Sequence, residues 1–157
     1  MQHPLVSIGI PTYNRAEGFL EQAINSARGQ NYPNIEIIVG DNCSQDRTGE
    51  LVQSFADPRI RYYRHENNIG PENNFNFCLD QANGAYFLLL HDDDLIDPDF
   101  VDTCMQAANH RTHYGLIRTG IRVINEYNQI QTERENRTKG ETFEDKLMAW
   151  FTHQSPW

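Results

Sequence analysis

The feature that most constrains this chain is a regular alternation of short apolar runs with stripes spaced like the turns of a helix. Leu5 to Pro11, Ile35 to Val39, Ile60 to Arg64 and Tyr86 to Leu90 read as strands. Between them come Phe19, Leu20, Ala23, Ile24 and Ala27, then Leu51, Val52 and Phe55, then Phe75, Cys78, Leu79 and Ala82, each spaced to line one side of a helix. A further stripe, Phe100, Val101, Cys104, Met105 and Ala108, follows Asp97-Pro98, which we expect to act as N-cap and first helical residue. Asn14 with Glu17 three residues on resembles a capping box and would start the first helix directly after the first strand. This alternation predicts an α/β fold in three layers with a mostly parallel central sheet. Tyr86 to Leu90, apolar at every position, predicts a strand in the middle of that sheet, covered on both faces.

Later segments are less regular. Gly115 to Ile124 resumes strand character, the polar stretch Gln131 to Gly140 reads as a loop or mobile arm, and Phe143, Leu147, Trp150 and Phe151 recur at helical spacing. We therefore divide the chain into a core over 1–125 and an arm with the start of a further region over 126–157. The aromatic ending needs a surface to bury against, either a continuation of the chain past Trp157 or a second copy in a homo-oligomer.

At 157 residues the chain suffices for one ordinary core. With 13 Lys and Arg against 22 Asp and Glu the net charge is −9, which repels a nucleic-acid backbone. A small anionic substrate would have to be met by local donors or by a bound cation. The three cysteines, Cys43, Cys78 and Cys104, are dispersed and suit neither a disulfide framework nor a zinc site, so the reading is of a reducing, cytoplasmic setting. No run approaches the roughly 20 apolar residues of a membrane helix.

In an open α/β sheet, ligands bind beyond the carboxyl ends of the strands. Polar clusters fall there. The first strand ends in Pro11, Thr12, Tyr13, Asn14 and Arg15, the second in Asp41 and Asn42, and the fourth in His91, Asp92, Asp93 and Asp94. Adjacent carboxylates repel, and a divalent cation such as Mg²⁺ or Mn²⁺ relieves this with hard oxygen ligands, so Asp92, Asp93 and Asp94 are the candidate metal ligands. Asp41 is able to accept from a base N–H or a ribose hydroxyl, and Tyr13 to stack on a base. Ser44 and Asp46 read as turn and cap residues. Asn68, Gly70, Asn74 and Asn76, in an amide-rich stretch between the third and fourth strands, are candidates to line a polar ligand. His65 has no evident partner.

Taken together, Pro11-Thr12-Tyr13-Asn14-Arg15, the segment Val39 to Thr48, the Asn68-Ile69-Gly70 turn with Asn74-Phe75-Asn76, and Asp92-Asp93-Asp94 before Pro98 resemble a family-two glycosyltransferase of the GT-A fold. The resemblance implies an inverting transfer of a sugar from a nucleotide-sugar donor, usually a UDP-sugar, to an acceptor hydroxyl of a glycan or lipid-linked acceptor, in cell-surface polysaccharide or glycoconjugate synthesis. For a lipid-linked acceptor the working place is the inner face of the membrane. It further implies that Thr12 and Tyr13 hold base and ribose, that Asp41 accepts from the uracil N–H, that Asn74 and its neighbours close the nucleoside pocket, that Asp93 binds Mn²⁺ or Mg²⁺, and that Asp92 lies near the ribose or the cation's water. His91 stands where many members carry the first acid of their signature, and Phe75 where a tryptophan or arginine is common. No residue here suits the general base, which the resemblance places past Trp157, so this chain is expected to bind donor without turnover.

Other α/β readings fare worse. A dehalogenase-like phosphatase needs an Asp-x-Asp at the first strand, and a dinucleotide-binding enzyme needs Gly-x-Gly-x-x-Gly after it. A non-catalytic, Mg²⁺-binding receiver-like module would divide its acids between the first and third strands, whereas here they cluster after the fourth.

Overall fold

A computed structural model of the chain describes residues 3–117 and 119–134. The chain divides into two compact units between Gly115 and Leu116.

The first unit runs β1 (Val6–Thr12), α1 (Leu20–Arg28), β2 (Ile35–Asp41), α2 (Thr48–Ser54), β3 (Ile60–Arg64), α3 (Pro71–Asp80), β4 (Tyr86–Leu89) and α4 (Phe100–Ala107). Its sheet is parallel throughout, in the order β3-β2-β1-β4. The register sets Thr12 beside Asp41 and Asp41 beside Arg64, so the polar strand ends form one rim. On one face, Val6, Ile8 and Ile10 of β1 and Ile35, Ile37 and Val39 of β2 pack with Leu20 and Ile24 of α1, Val52 of α2, and Val101 and Met105 of α4. Every residue of β1 and β2 is buried, which explains why both read as unbroken runs rather than alternating ones.

The other face is covered by α3, which lies unusually close. A Cβ placed on Gly40 would come within 2.7 Å of both Asn74 Oδ1 and Cys78 Sγ, and one on Gly9 within 3.0 Å of Cys78 Cβ. Away from the rim, that face carries a polar anchor. Glu36 accepts from Ser7 Oγ, the Asn83 main-chain N–H and Arg61 Nη1, at 2.6, 2.7 and 2.8 Å. Burial alone would raise its carboxyl, but these hydrogen bonds hold it down at about 2.

Four expectations are corrected. β4 lies at the edge of the described sheet with its residues half-buried, and β1 and β2 are central. Apolarity on both faces reports cover above and below a strand, here from α3 and from the α4 side, and says nothing of lateral neighbours. The first helix begins at Leu20, and Asn14 is no cap: it sits at φ 54°, a conformation asparagine tolerates, with its side chain turned to the next loop. α4 begins at Phe100, so Asp97-Pro98 precede it. Those two residues instead dock on the end of α1, where Gln30 donates to the Asp97 carbonyl and accepts from the Val101 N–H. Finally, the strand expected from Gly115 begins only at Ile121. In the second unit β5 (Ile121–Ile124) pairs antiparallel with β6 (Ile130–Arg134), so the start of the expected loop is a strand. Asn125 folds the turn between them by accepting from the Tyr127 and Gln129 N–H groups. The helical spacing from Phe143 lies outside the described residues.

Candidate functional site

The rim at the carboxyl ends of the strands is built by loops that share their hydrogen bonds. After β1, the Asn14 N–H donates to Ser44 Oγ at 2.8 Å, Arg15 N–H to Thr48 Oγ1 at 3.1 Å and Ala16 N–H to Asp46 Oδ2 at 2.9 Å, while Asn14 Oδ1 accepts from Gln45 N–H at 2.8 Å. Asp46 also accepts from the Thr48 N–H and hydroxyl, which puts its carboxyl below the usual range: burial opposes this, and the donors from Thr48 and Ala16 outweigh it. Ser44 and Asp46 are thus the turn and cap residues expected.

Asp41 is completely buried, and its oxygens accept from the Ser44 N–H and the Tyr62 hydroxyl. The Tyr62 phenol is pushed well up, first by burial and then by this carboxylate. Expected to meet a uracil N–H, Asp41 in this structure holds the β2 loop through these two bonds. Asn42 joins that loop to the next, donating to Asn68 Oδ1 at 3.0 Å and accepting from the Ile69 N–H at 2.8 Å. Asn68 Oδ1 also accepts from Gly70 N–H, and Gly70 takes φ 83°, which a side chain would strain, to open α3. Asn74 is also buried: its amide donates to the Gly40 carbonyl at 2.7 Å and its Oδ1 lies 3.0 Å from His65 Nε2. Since the Gly40 carbonyl fixes the amide's orientation, His65 must be the donor there.

Thr12, only 3% exposed, donates to Asp92 Oδ2 at 2.8 Å, and Arg15 Nε stands 3.6 Å from the same oxygen. Burial raises the Asp92 carboxyl, against the Thr12 hydrogen bond and the Arg15 charge. Asp92 therefore ties β4 to β1. Asp93 and Asp94 are exposed, as are Tyr13, Arg15, Asn68 and Asn76, whereas Pro11 is buried. Among the described residues no three His, Cys, Asp or Glu side chains converge as a metal-holding group, and of the three expected carboxylates Asp93 and Asp94 are the open ones. Those two fit a hard divalent cation that takes its remaining oxygens from a phosphate-bearing ligand and water.

Tyr62 and His65 escaped the sequence reading because their partners, Asp41 and Asn74, are brought to them only by strand register and by the close seat of α3.

The description of glycosyl transferase family 2 matches residues 7–156. This chain belongs to glycosyl transferase family 2. The Campylobacter jejuni GalNAc(5)-diNAcBac-PP-undecaprenol beta-1,3-glucosyltransferase is 41% identical over 109 residues, covering 68% of this chain and 35% of that protein. The chain thus spans about a third of that relative's length. Among solved structures, S. aureus TarS 1-349 in complex with UDP-GlcNAc superposes with a TM-score of 0.63 at 24% identity, over 76% of this chain and 40% of the other, and supports the fold alone. The mannosyltransferase PcManGT of Pyrobaculum calidifontis, in complex with GDP-Man and Mn²⁺, gives 0.55 at 27% identity over 60% of this chain and 29% of that one. The expected family and α/β fold are both confirmed. No helix among the described residues is long and apolar enough to cross a membrane.

Proposed function

We propose that this chain is the donor-binding part of an inverting glycosyltransferase, which transfers a sugar from a nucleoside-diphosphate donor of the uridine class to an acceptor hydroxyl in cell-surface polysaccharide or glycoconjugate synthesis. The observation that carries this reading is the contrast on the rim: Thr12, Asp41 and Asn74 are buried on protein partners, while Tyr13, Arg15, Asp93 and Asp94 are held open beside them. Tyr13, 44% exposed, offers a ring to a base, and the amide loop at Asn68 and Asn76 offers polar groups to the nucleoside. Asp93, with Asp94, would hold Mn²⁺ or Mg²⁺, which when bound offsets negative charge on a departing nucleoside diphosphate. Thr12 and Asp41 serve by positioning Asp92 and the β2 loop. The relatives support this reading: one is named for a lipid diphosphate acceptor, one fold neighbour holds UDP-GlcNAc and another GDP-Man with Mn²⁺.

The test is thermal unfolding of the chain with nucleoside diphosphates, with and without Mn²⁺. UDP at a hundred times its Kd adds about 2.7 kcal/mol of stability, and we expect that gain to depend on Mn²⁺. A melting curve that no nucleoside diphosphate moves would overturn the reading.

A further inference from the structure

At the opposite end of the sheet from the rim, where β1 and β2 begin, three rings from separate parts of the first unit meet. His3 precedes β1, Tyr32 precedes β2 and His110 follows α4. The His3 and His110 rings have centroids 5.1 Å apart with their planes at 84°, and they stand 5.4 and 6.3 Å from the Tyr32 ring. Among the described residues, His110 Nδ1 is buried and has no hydrogen-bond partner. Such an atom calls for a reason, and a bound ion is one.

Ring contact by itself accounts for the packing of these side chains and leaves that nitrogen idle. Metal ligation accounts for both. With a metal–nitrogen bond of about 2.0–2.1 Å, an imidazole centre stands about 3.2 Å from the ion, and two imidazoles at a tetrahedral angle have centres about 5.2 Å apart. The observed 5.1 Å matches. Both residues are also held by their main chains. The His3 carbonyl accepts from Asn34 Nδ2 and the next carbonyl, of Pro4, from the buried Tyr32 hydroxyl, both at 2.8 Å. The His110 N–H donates to the Met105 carbonyl at 2.8 Å, and Asn109 and His110 take φ 49° and 53° in succession, a conformation uncommon for histidine. The chain turns back there, and that turn sets the ring against His3. Negative charge is at hand as well. The carboxyl end of α4 carries the negative pole of the helix dipole, and the Tyr32 phenol is raised first by burial and then by the Asp102 carboxylate.

We propose that His3 and His110 form a two-histidine site for a transition-metal dication of the Zn²⁺ class, which pins the segment before β1 to the end of α4. Imidazole nitrogens completed by water suit such an ion, whereas the open carboxylates Asp93 and Asp94 at the rim suit a hard one, so the two ends of the sheet select different cations. This inference does not rest on the nucleotide reading.

The experiment is calorimetric titration of the untagged whole chain with Zn²⁺ in excess Mg²⁺, together with thermal unfolding, for the wild type, His3→Gln, His110→Gln and Asp93→Ala. The wild type is expected to bind one Zn²⁺ and to melt higher with it. Each histidine variant is expected to lose that rise and to weaken Zn²⁺ by at least the roughly 10-fold that loss of an outer partner costs a metal site, while Asp93→Ala keeps both. His3 is exposed, so His3→Gln keeps the fold and decides the matter even where His110→Gln unfolds. A wild-type chain that binds no Zn²⁺ in excess Mg²⁺, or a His3→Gln chain that binds it as the wild type does, overturns the proposal. Zn²⁺ binding lost in Asp93→Ala instead places the ion at the rim and overturns it too.

Discussion

The loops after β1 and β2 and the turn after β4 stand at the same end of one sheet, yet they use their polar groups differently. In the first region Asn14, Ser44, Asp46, Thr48 and the Asp41 carboxylate satisfy one another, and Asp41 and Thr48 have no exposed surface. In the second, Asp93 and Asp94 project into solvent, the Asp94 N–H closes the turn on the His91 carbonyl, and the inward bond is from Thr12 to Asp92. The difference separates a closed polar network from an open one, which the proposed function reads as the ligand surface. A buried polar group without a partner costs about 1–3 kcal/mol, so a closed network must be complete to fold, whereas an exposed group waits at little cost for a ligand.

Breaking the closed region should have the largest effect. Asp41→Ala leaves the Ser44 N–H and the Tyr62 hydroxyl without their acceptor, and we expect a loss of about 3 kcal/mol in urea-induced unfolding. A loss under 1 kcal/mol would mean that the network is no more than solvated turn structure.

Next comes Glu36, a closed network remote from any proposed ligand. Its folded value of about 2 lies below the ordinary 4.5, so its stabilisation is complete above pH 4.5 and is lost as pH falls through 2. We expect that step to be worth about 2 kcal/mol and to be missing from the pH dependence of Glu36→Gln. Asp57, held low chiefly by hydrogen bonds from Arg59 and Arg28 against burial, titrates in the same acid range in both proteins, so the difference between the two curves isolates Glu36.

A smaller loss, about 1–2 kcal/mol, is expected for Asn74→Ala, which strips the Gly40 carbonyl and His65 of a partner and leaves a small void under α3. The same denaturation assay measures it, and a neutral result would show that water replaces the amide.

Least of all, Asp93→Ala should change stability by less than about 0.5 kcal/mol. Its effect should appear in the ligand instead, as loss of the Mn²⁺-dependent part of UDP binding in a fluorescence or calorimetric titration. Unchanged Mn²⁺ dependence would make the acidic turn part of the scaffold, and the contrast between the two regions would disappear.

Much of this was legible in the chain before any coordinates. β3 spans Ile60–Arg64 as its β-branched and aromatic run suggests, and Leu20, Ala23, Ile24 and Ala27 are the buried stripe of α1. The rim residues were found because a strand that ends in Pro-Thr or in Gly-Asp leaves its polar residues at one end of a parallel sheet. What could not be read was which of them face outward. Asp41 and Asp93 look equally available in sequence, and one is sealed beneath Tyr62 while the other is open.

The sequence by itself determined the order of elements, the faces of the helices and the family, because periodicity and short motifs are local and each needs only a few adjacent residues. The tertiary structure decided that β4 lies at the edge of the described sheet, that Asn14 serves the neighbouring loop, and that Asp92 answers to Thr12 80 positions away. Those are choices among partners. A side chain's role depends on which distant group reaches it first, and strand register and the close packing of α3 set that reach.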